Sequence, residues 1–569
     1  MKKIKLLSLI ALLSFTFSCT DDLNTEPKVE LSLEQLLAQD PNAIEGIMSK
    51  LYGSFALSGP NGAGSSDISD DPGESPFLRG IINLQDFTAD GMKNRWGDDG
   101  LDQLTTTSNW DENNKFFRYL YNRVYYTVPQ CNNLLVVLQN VDVPNKDQVI
   151  SEVRFLRALA YYYMIDCFGK GVLVTESEAG TTTPLPESSR TELFNFVESE
   201  LTDIVEILPT SNSYGRANRY VGAMLLAKLY MNAGVYTGTQ RYTDAFPYIN
   251  MIITEGGYTL EPNFVALFSG DNYSSNEIIY PLIADAVSSQ SYGNTTYIVN
   301  GSMNSATMNT SLFGNPGGND AWAGHRATKA WYGLFGNLGT STDDRAQLFW
   351  TDGHTYEMTD YKEWTNGYPS VKFRNTNYYT SSGPSTVFSS TDFPLYRLAD
   401  VYLMYAECVL RGAASGSTAT AVEYVNKVRE RSHASLIDAV QLSGAEFKRF
   451  KHNDIESLQK TIYVKSIPET YMVRIGRDDK DKEYLHHLVN EVTEAFIQTT
   501  REEQIYGSSD RAESLSERQK VLLNEIKDLE EERAQLAEKL NLTTFSENTE
   551  NPYDGNLRLL NEKLTNATI

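Results

Sequence analysis

S-E-V-R-F-L-R-A-L-A-Y-Y-Y-M-I-D-C-F-G-K-G, residues Ser151 to Gly171, decides the fold. Val153, Leu156, Leu159, Ala160, Tyr163, Met164 and Cys167 recur at three- and four-residue spacing, which puts them on one face of a helix over Glu152–Phe168. Phe155, Tyr162 and Ile165 widen that stripe until almost the whole circumference is apolar, so the helix is expected to be buried among others. Gly169 and Gly171 follow, where a residue with positive φ can end a helix. Periodicity alone makes this a core helix and nothing more.

The wording is more specific than the period. The run from Arg154 to Gly169 resembles the R-F-L-R-A-x-x-Y…F-G helix of the SusD/RagB family, the surface glycan-binding lipoproteins of Bacteroidetes. Two later segments resemble the same family in the same order: G-R-A-N-R-Y-V-G-A-M-L-L-A-K-L-Y-M-N-A-G-V-Y-T-G at Gly215–Gly238 and D-F-P-L-Y-R-L-A-D-V-Y-L-M-Y-A-E at Asp392–Glu407. The resemblance implies a mostly helical fold of tetratricopeptide-like pairs over residues 19–431.

The remaining sequence fits that expectation. Helical patterning covers Leu33–Leu57, Phe116–Gln139, Thr191–Leu208, Val221–Ala233, Asp244–Glu255, Leu395–Arg411 and Ala419–Arg431. Between Gly256 and Asp392 the chain is rich in Gly, Asn, Ser, Thr and aromatics, a loop-rich insertion too long to be a mere connection. Near Ser432 the resemblance stops, because the closing E-R-R-x-E-L…E-G-x-R-W-x-D-L segment of the family does not follow. Ile462–Pro468 and Tyr471–Ile475 alternate like strands, Tyr484–Thr499 has helical period, and Leu515, Leu522, Leu529 and Leu536 repeat every seven residues. Residues 432–569 therefore read as an appended small α/β segment leading into a coiled coil. About residues 455–540 resemble the extracytoplasmic region of polysaccharide chain-length and co-polymerase proteins.

Charge and composition exclude some functions. A net charge of −25 over 569 residues argues against nucleic acid, whose phosphates need a basic surface. The four cysteines show no metal spacing, and Cys167 and Cys408 lie on apolar helix faces as small hydrophobes. No H-E-x-x-H, G-x-S-x-G or G-x-x-x-x-G-K-[ST] appears, no cofactor is expected, and the six histidines read as surface residues. Lys2, Lys3 and Lys5 precede an apolar run, Leu6–Phe17, too short to span a bilayer and shaped like a signal peptide. It stops at Ser18-Cys19 and turns acidic at Asp21-Asp22, which resembles a lipoprotein signal over residues 1–18 with Cys19 as the lipidated residue. That implies a lipid-anchored protein at the cell-surface side of the outer membrane.

Sugar recognition needs flat apolar surfaces for ring faces and polar groups for hydroxyls. Trp96, in K-N-R-W-G-D-D-G, and Trp322, in G-G-N-D-A-W-A-G, stand among polar loop residues that favour exposure. Burial as a loop anchor is the alternative for each, and the better reading for Trp350 and Trp364. Carried over from the starch-binding members of the family, the aromatic arc falls on Trp96, Tyr292 and Trp322, the polar contacts on Asp71 and Arg79, and an amide contact on the carboxylate of Asp99. The resemblance implies an α-glucan as favoured ligand, no catalysis, and a SusC-like TonB-dependent transporter as partner. A glycoside hydrolase, or a polysaccharide-assembly scaffold if the tail sets the function, are the alternatives.

Overall fold

The computed structural model describes residues 31–444, apart from 70, 182, 381–386 and 414, together with 463–466 and 473–476. The lipoprotein signal with Cys19, the Tyr484–Thr499 helix and the heptad repeat lie outside the described residues. The chain divides into two compact units, Met1–Glu446 and Phe447–Ile569. Of the second, an antiparallel pair of strands is described, Tyr463–Ser466 against Val473–Gly476, where the alternation places strands.

The first unit is mostly helical. It begins with α1 (Leu33–Gln39), α2 (Ile44–Ala56), α3 (Phe77–Ile81), the short strand β1 (Met92–Asn94) and α4 (Leu101–Thr106). The long helices α5 (Lys115–Asn140), α6 (Lys146–Phe168), α7 (Arg190–Ile204) and α8 (Arg219–Met231) follow, then α9 (Ala233–Thr237) and α10 (Tyr242–Glu255). The loop-rich region holds β2 (Ile278–Leu282), α11 (Thr295–Gly301), β3 (His325–Ala327) and α12 (Lys329–Tyr332). β4 (Phe393–Arg397), α13 (Leu398–Leu410), α14 (Thr418–Arg431) and α15 (Ala439–Gly444) close the unit. Consecutive long helices pack on one another, α5 on α6, α6 on α7, α7 on α8, α8 on α10, α10 on α13 and α13 on α14, the tetratricopeptide-like order.

Two expected helices differ in physically simple ways. Leu33–Leu57 is broken at Asp40, which is extended at φ −135°, because the residue before Pro41 is driven out of the helical region. Leu395 to Arg397 form part of β4, which pairs antiparallel with the fully buried β2, so the helix starts only at Leu398.

α6 is buried nearly all round, from Val149 to Ile165. Gly169 ends it at φ +79°, with its N–H donating to Met164 and Ile165 carbonyls. That left-handed φ is what favours glycine here, and a methyl group would also displace the Arg190 guanidinium, 2.4 Å away at Nη2. Burial on every side forces the charges of α6 to find partners inside the protein. Glu152, fully buried, accepts from Arg216 Nε at 2.8 Å and Nη2 at 3.1 Å, from the Tyr52 hydroxyl at 2.6 Å and from Gln148 and Asn212. Arg157 donates to Glu200 at 2.6 and 3.2 Å, to Asn132 at 2.6 Å and to Glu176. Arg154 takes the other oxygen of Glu200 at 2.8 and 3.1 Å. The two arginines of R-F-L-R thus clamp α7 to α6, and Glu152 ties α6 to the segment that begins at Gly215.

The unit does not stop at Arg431, the boundary expected from the sequence. Asp344 N–H donates to Ser432 O at 2.9 Å, the Asn426 side chain bonds Ile437 in both directions at 2.8 Å, and Leu442 is buried in the main core.

Two outcomes follow for stability. Arg157→Ala leaves Glu200 with Arg154 alone and the partly exposed Glu176 without its arginine, and is expected to cost about 1–3 kcal/mol in urea unfolding; no measurable loss would contradict the network described here. A chain ending at Glu446 is expected to keep the unfolding midpoint of the first unit. One ending at Arg431 loses the Leu442 burial and should be weaker by about 2 kcal/mol or more.

Candidate functional site

The site begins with a three-residue ribbon. β1 and β3 pair antiparallel, Met92 with Ala327 and Asn94 with His325. Trp96 lies two residues beyond one end of this register and Trp322 three residues before the matching end of the partner strand. Strand pairing therefore delivers both indoles to the same end of the ribbon, although 226 residues separate them. Their ring centroids are 6.5 Å apart, and Trp96 Nε1 donates to Trp322 O at 3.0 Å.

Each loop is held by further contacts. Trp96 N–H bonds Asn94 Oδ1 at 2.7 Å, and the ring lies against Gly324, where a methyl group would sit 2.6 Å from Trp96 Cε2. Trp322 and Gly324 donate their N–H groups to Asn300 and Gly301 carbonyls at 2.8 and 2.7 Å, at the end of α11. Ala323 between them takes a left-handed φ of +52°, a costly conformation for a residue with a Cβ, kept by its own N–H bond to Met303 O at 2.8 Å.

Tyr292 enters from just before α11. Its ring is 38% exposed, with its centroid 6.4 Å from Trp322 and 5.0 Å from Phe388. Gly293 is what allows this approach, because a methyl group on it would meet Pro76 at 2.3 Å. The Gly293 carbonyl accepts the Arg79 N–H at 3.1 Å, which joins the Tyr292 loop to D-P-G-E-S-P-F-L-R. The structure so brings together Trp96, Trp322 and Tyr292, all reaching solvent, with Phe388 extending the row beyond Tyr292. Successive planes are inclined by 51° between Trp96 and Trp322, 46° between Trp322 and Tyr292 and 50° between Tyr292 and Phe388. The row is not flat.

The polar residues are placed differently from one another. Asp71 is exposed; its Oδ1 accepts the N–H groups of Gly73 and Glu74 at 3.0 Å, and Gly73 separates it from Tyr292. Arg79 lies beneath the rings at 7% exposure. Its guanidinium sits 4.5 Å from the Tyr297 ring centroid and 5.7 Å from that of Trp96, and it donates to Gly73 O at 3.3 Å and to Asp98 Oδ2 at 3.2 Å. It is better placed to hold the rings and Asp98 than to meet a ligand directly. Asp99 is exposed, and the carboxylate that reaches Arg79 is that of its neighbour Asp98.

His325 corrects the surface reading of the histidines. It is buried behind the arc against Trp96, Tyr297 and Phe87. Burial, then the charges of Arg79 and Arg326, push its pKa down to about 3, so the ring is neutral at ordinary pH. His354 is half-buried and His433 is exposed on Asp344. Of the tryptophans expected to be loop anchors, Trp364 is buried and bonds Thr307 Oγ1 at 2.9 Å, while Trp350 is half-buried. Cys408 is buried; Cys167 is half-buried, with its thiol pushed up to about 12 by burial. Asp98, Phe388 and His325 are the residues that sequence reasoning missed.

Among the described residues no helix is long and apolar enough to cross a membrane, and no group of three or more His, Cys, Asp or Glu side chains is arranged to hold a metal ion.

Comparison with known proteins now bears on this geometry. A family model described as the SusD family matches residues 345–457. The starch-binding protein SusD of Bacteroides thetaiotaomicron is 29% identical over 490 residues, covering 75% of this chain and 83% of that protein. Among solved structures, surface glycan-binding protein A of the same species, in complex with laminarihexaose, has a TM-score of 0.52 and 19% identity, covering 71% of this chain and 87% of that one. A crystal structure solved with xylogluco-oligosaccharide has a TM-score of 0.54 and 21% identity, covering 70% and 78%. With its three motif segments in order and its helices packed accordingly, the chain is similar to the SusD family over most of its length.

Proposed function

We propose that this chain is a lipid-anchored protein of the outer membrane that holds a glycan on the arc of Trp96, Trp322 and Tyr292. It binds without cleaving and delivers its ligand to a SusC-like TonB-dependent transporter. An α-glucan is the favoured ligand. The observation that carries this reading is the shape of the arc. Its rings stand 6.4 and 6.5 Å apart and turn by 46° and 51° from one to the next. A ribbon-like β-linked chain offers its ring faces in near-parallel planes, whereas a helical α-glucan offers a curved apolar face that inclined rings can follow. The likeness to starch-binding SusD supports the same ligand. The structures with laminarihexaose and xylogluco-oligosaccharide belong to more distant relatives, so both glycans belong in the test.

The rings are also fixed in advance. The Trp96–Trp322 hydrogen bond and the Arg79 guanidinium beneath leave little side-chain freedom to lose on binding. Asp71 and Asp98, at the rim, are placed to accept sugar hydroxyls, and bonds to a charged acceptor are the stronger kind.

Calorimetry against a panel of glycans tests this. Trp96→Ala and Trp322→Ala are each expected to lower α-glucan affinity several-fold, about 1 kcal/mol per ring, while Trp364→Ala leaves the affinity of the folded protein unchanged. Affinity should stay level between about pH 5 and 8, because His325 remains neutral throughout that range. Normal binding by the Trp96→Ala, Trp322→Ala double variant would remove the arc from consideration.

The anchor has its own test. Cys19→Ala is expected to lose its lipid mass and its retention at the outer membrane, because each buried methylene of an acyl chain contributes ~0.8 kcal/mol. Unchanged retention with no lipid in the wild type would exclude the lipoprotein reading.

A further inference from the structure

A second set of exposed rings lies outside the arc. Tyr273, Tyr378 and Tyr379 are 59%, 45% and 51% exposed. The last two are organised by one carboxylate, that of Asp271, which is only 2% exposed. Its Oδ1 accepts the Tyr378 N–H at 2.7 Å, and its Oδ2 accepts the N–H groups of Tyr379 and Thr380 at 2.7 and 2.9 Å. Tyr273 is two residues along from Asp271 in the other segment, on a short 3₁₀ turn, Asn272–Ser274. The two segments are also joined by Gly270 N–H to Thr376 O at 2.8 Å, and a side chain at Gly270 would meet Asn377 Oδ1 at 2.6 Å.

The aromatic pair is rigid. Tyr379 donates its hydroxyl to the buried Glu261, and burial with that carboxylate holds its phenol well above the ordinary range. Tyr378 stands on it edge to face, 4.9 Å between centroids. A loop that carries two half-exposed rings is ordinarily mobile; here three amide bonds to one buried anion fix it, which removes the ordering cost of binding through them. The surrounding sequence, N-Y-S-S-N and N-T-N-Y-Y-T, mixes rings with amides and hydroxyls, a composition for a hydroxylated ligand rather than an apolar protein face.

This surface is near the arc. Asn375, three residues before Tyr378, donates to Phe388 O at 3.1 Å, and the Phe388 ring packs on Tyr292. Chain reach then puts the Tyr378 backbone within about 30 Å of the Tyr292 ring. We propose that Tyr273, Tyr378 and Tyr379 form a second carbohydrate platform, which takes the continuation of a long glycan whose first segment lies on the arc. This rests on the glycan-binding reading above. Occupation of the arc makes engagement of the platform intramolecular, so the platform raises affinity for polymers and leaves short oligosaccharides unaffected.

The test compares the mature full-length chain with a Tyr273→Ala, Tyr378→Ala double variant; Tyr379 is kept because it anchors the loop. Affinity for soluble starch is read by affinity electrophoresis and for maltoheptaose by calorimetry. If the wild type prefers laminarin or xyloglucan, that polymer and its short oligosaccharide replace the pair. The double variant is expected to bind the polymer roughly three- to tenfold more weakly and the oligosaccharide as wild type does. A Tyr378→Trp single variant, which preserves a ring, is expected to keep polymer affinity. Equal polymer affinity in wild type and double variant overturns the platform. So does a parallel loss for polymer and oligosaccharide, since it places the tyrosines in or under the arc site. If the wild type binds none of these glycans, the function reading itself falls, an outcome distinct from either.

Discussion

Glu152 is buried out of reach of water and is met there by the partly covered Arg216, and much of the architecture depends on that pairing. A buried ion pair gains little over an apolar pair of the same size, yet removing one partner leaves a charge with nowhere to go. The helix that carries Glu152 is apolar on nearly every side, so its few charged residues cannot turn outward. Arg154 and Arg157 reach Glu200 for the same reason. These contacts decide which helices are neighbours, and hydrophobic burial around them supplies most of the cohesion. The segments that carry the family likeness at Arg154–Gly169 and Gly215–Gly238 are the ones joined there. That juxtaposition gives the motif wording a physical meaning: R-F-L-R fastens α7 to α6 through Glu200, and the arginine of G-R-A fastens its own segment to the same helix through Glu152.

The helical frame was legible because its periods are long and its faces apolar. Where the reading erred, a local rule overrode the period, as at Asp40 before Pro41. A contact distant in sequence overrode it at Leu395–Arg397, which β2 draws into a strand. The site is a different matter. No local pattern places Trp96 beside Trp322, because the ribbon that unites them has three residues per strand and no alternation to betray it. Their joint assignment came from the family likeness. His325 looked like a polar loop residue in W-A-G-H-R; pairing with Asn94 turned it inward. Arg79, expected to face the ligand, is drawn under the rings by Asp98 and Tyr297. Phe388 was missed because it becomes part of the row only through Asn375 and Asn300, which bond the backbone of its segment.

The arrangement around the arc is one of support. Arg79 lies under two rings, Gly73, Gly293 and Gly324 let loops approach closely, and Ala323 holds a strained turn between Trp322 and Gly324. Such features cost folding energy, and they keep a curved aromatic surface in one conformation at the end of a short ribbon. A binding surface built from several weak stacking contacts gains most from rigidity, because its affinity is small enough to be lost to side-chain ordering. Asp271 does for the tyrosine loop what Arg79 does for Trp96 and Tyr297.

The most direct measurement is a crystal structure of the mature chain soaked with maltoheptaose. The account requires consecutive sugar rings stacked on Trp96, Trp322 and Tyr292, with hydroxyls within hydrogen-bond reach of Asp71 or Asp98. Sugar bound elsewhere with the three rings bare, under conditions where solution binding is established, would contradict it.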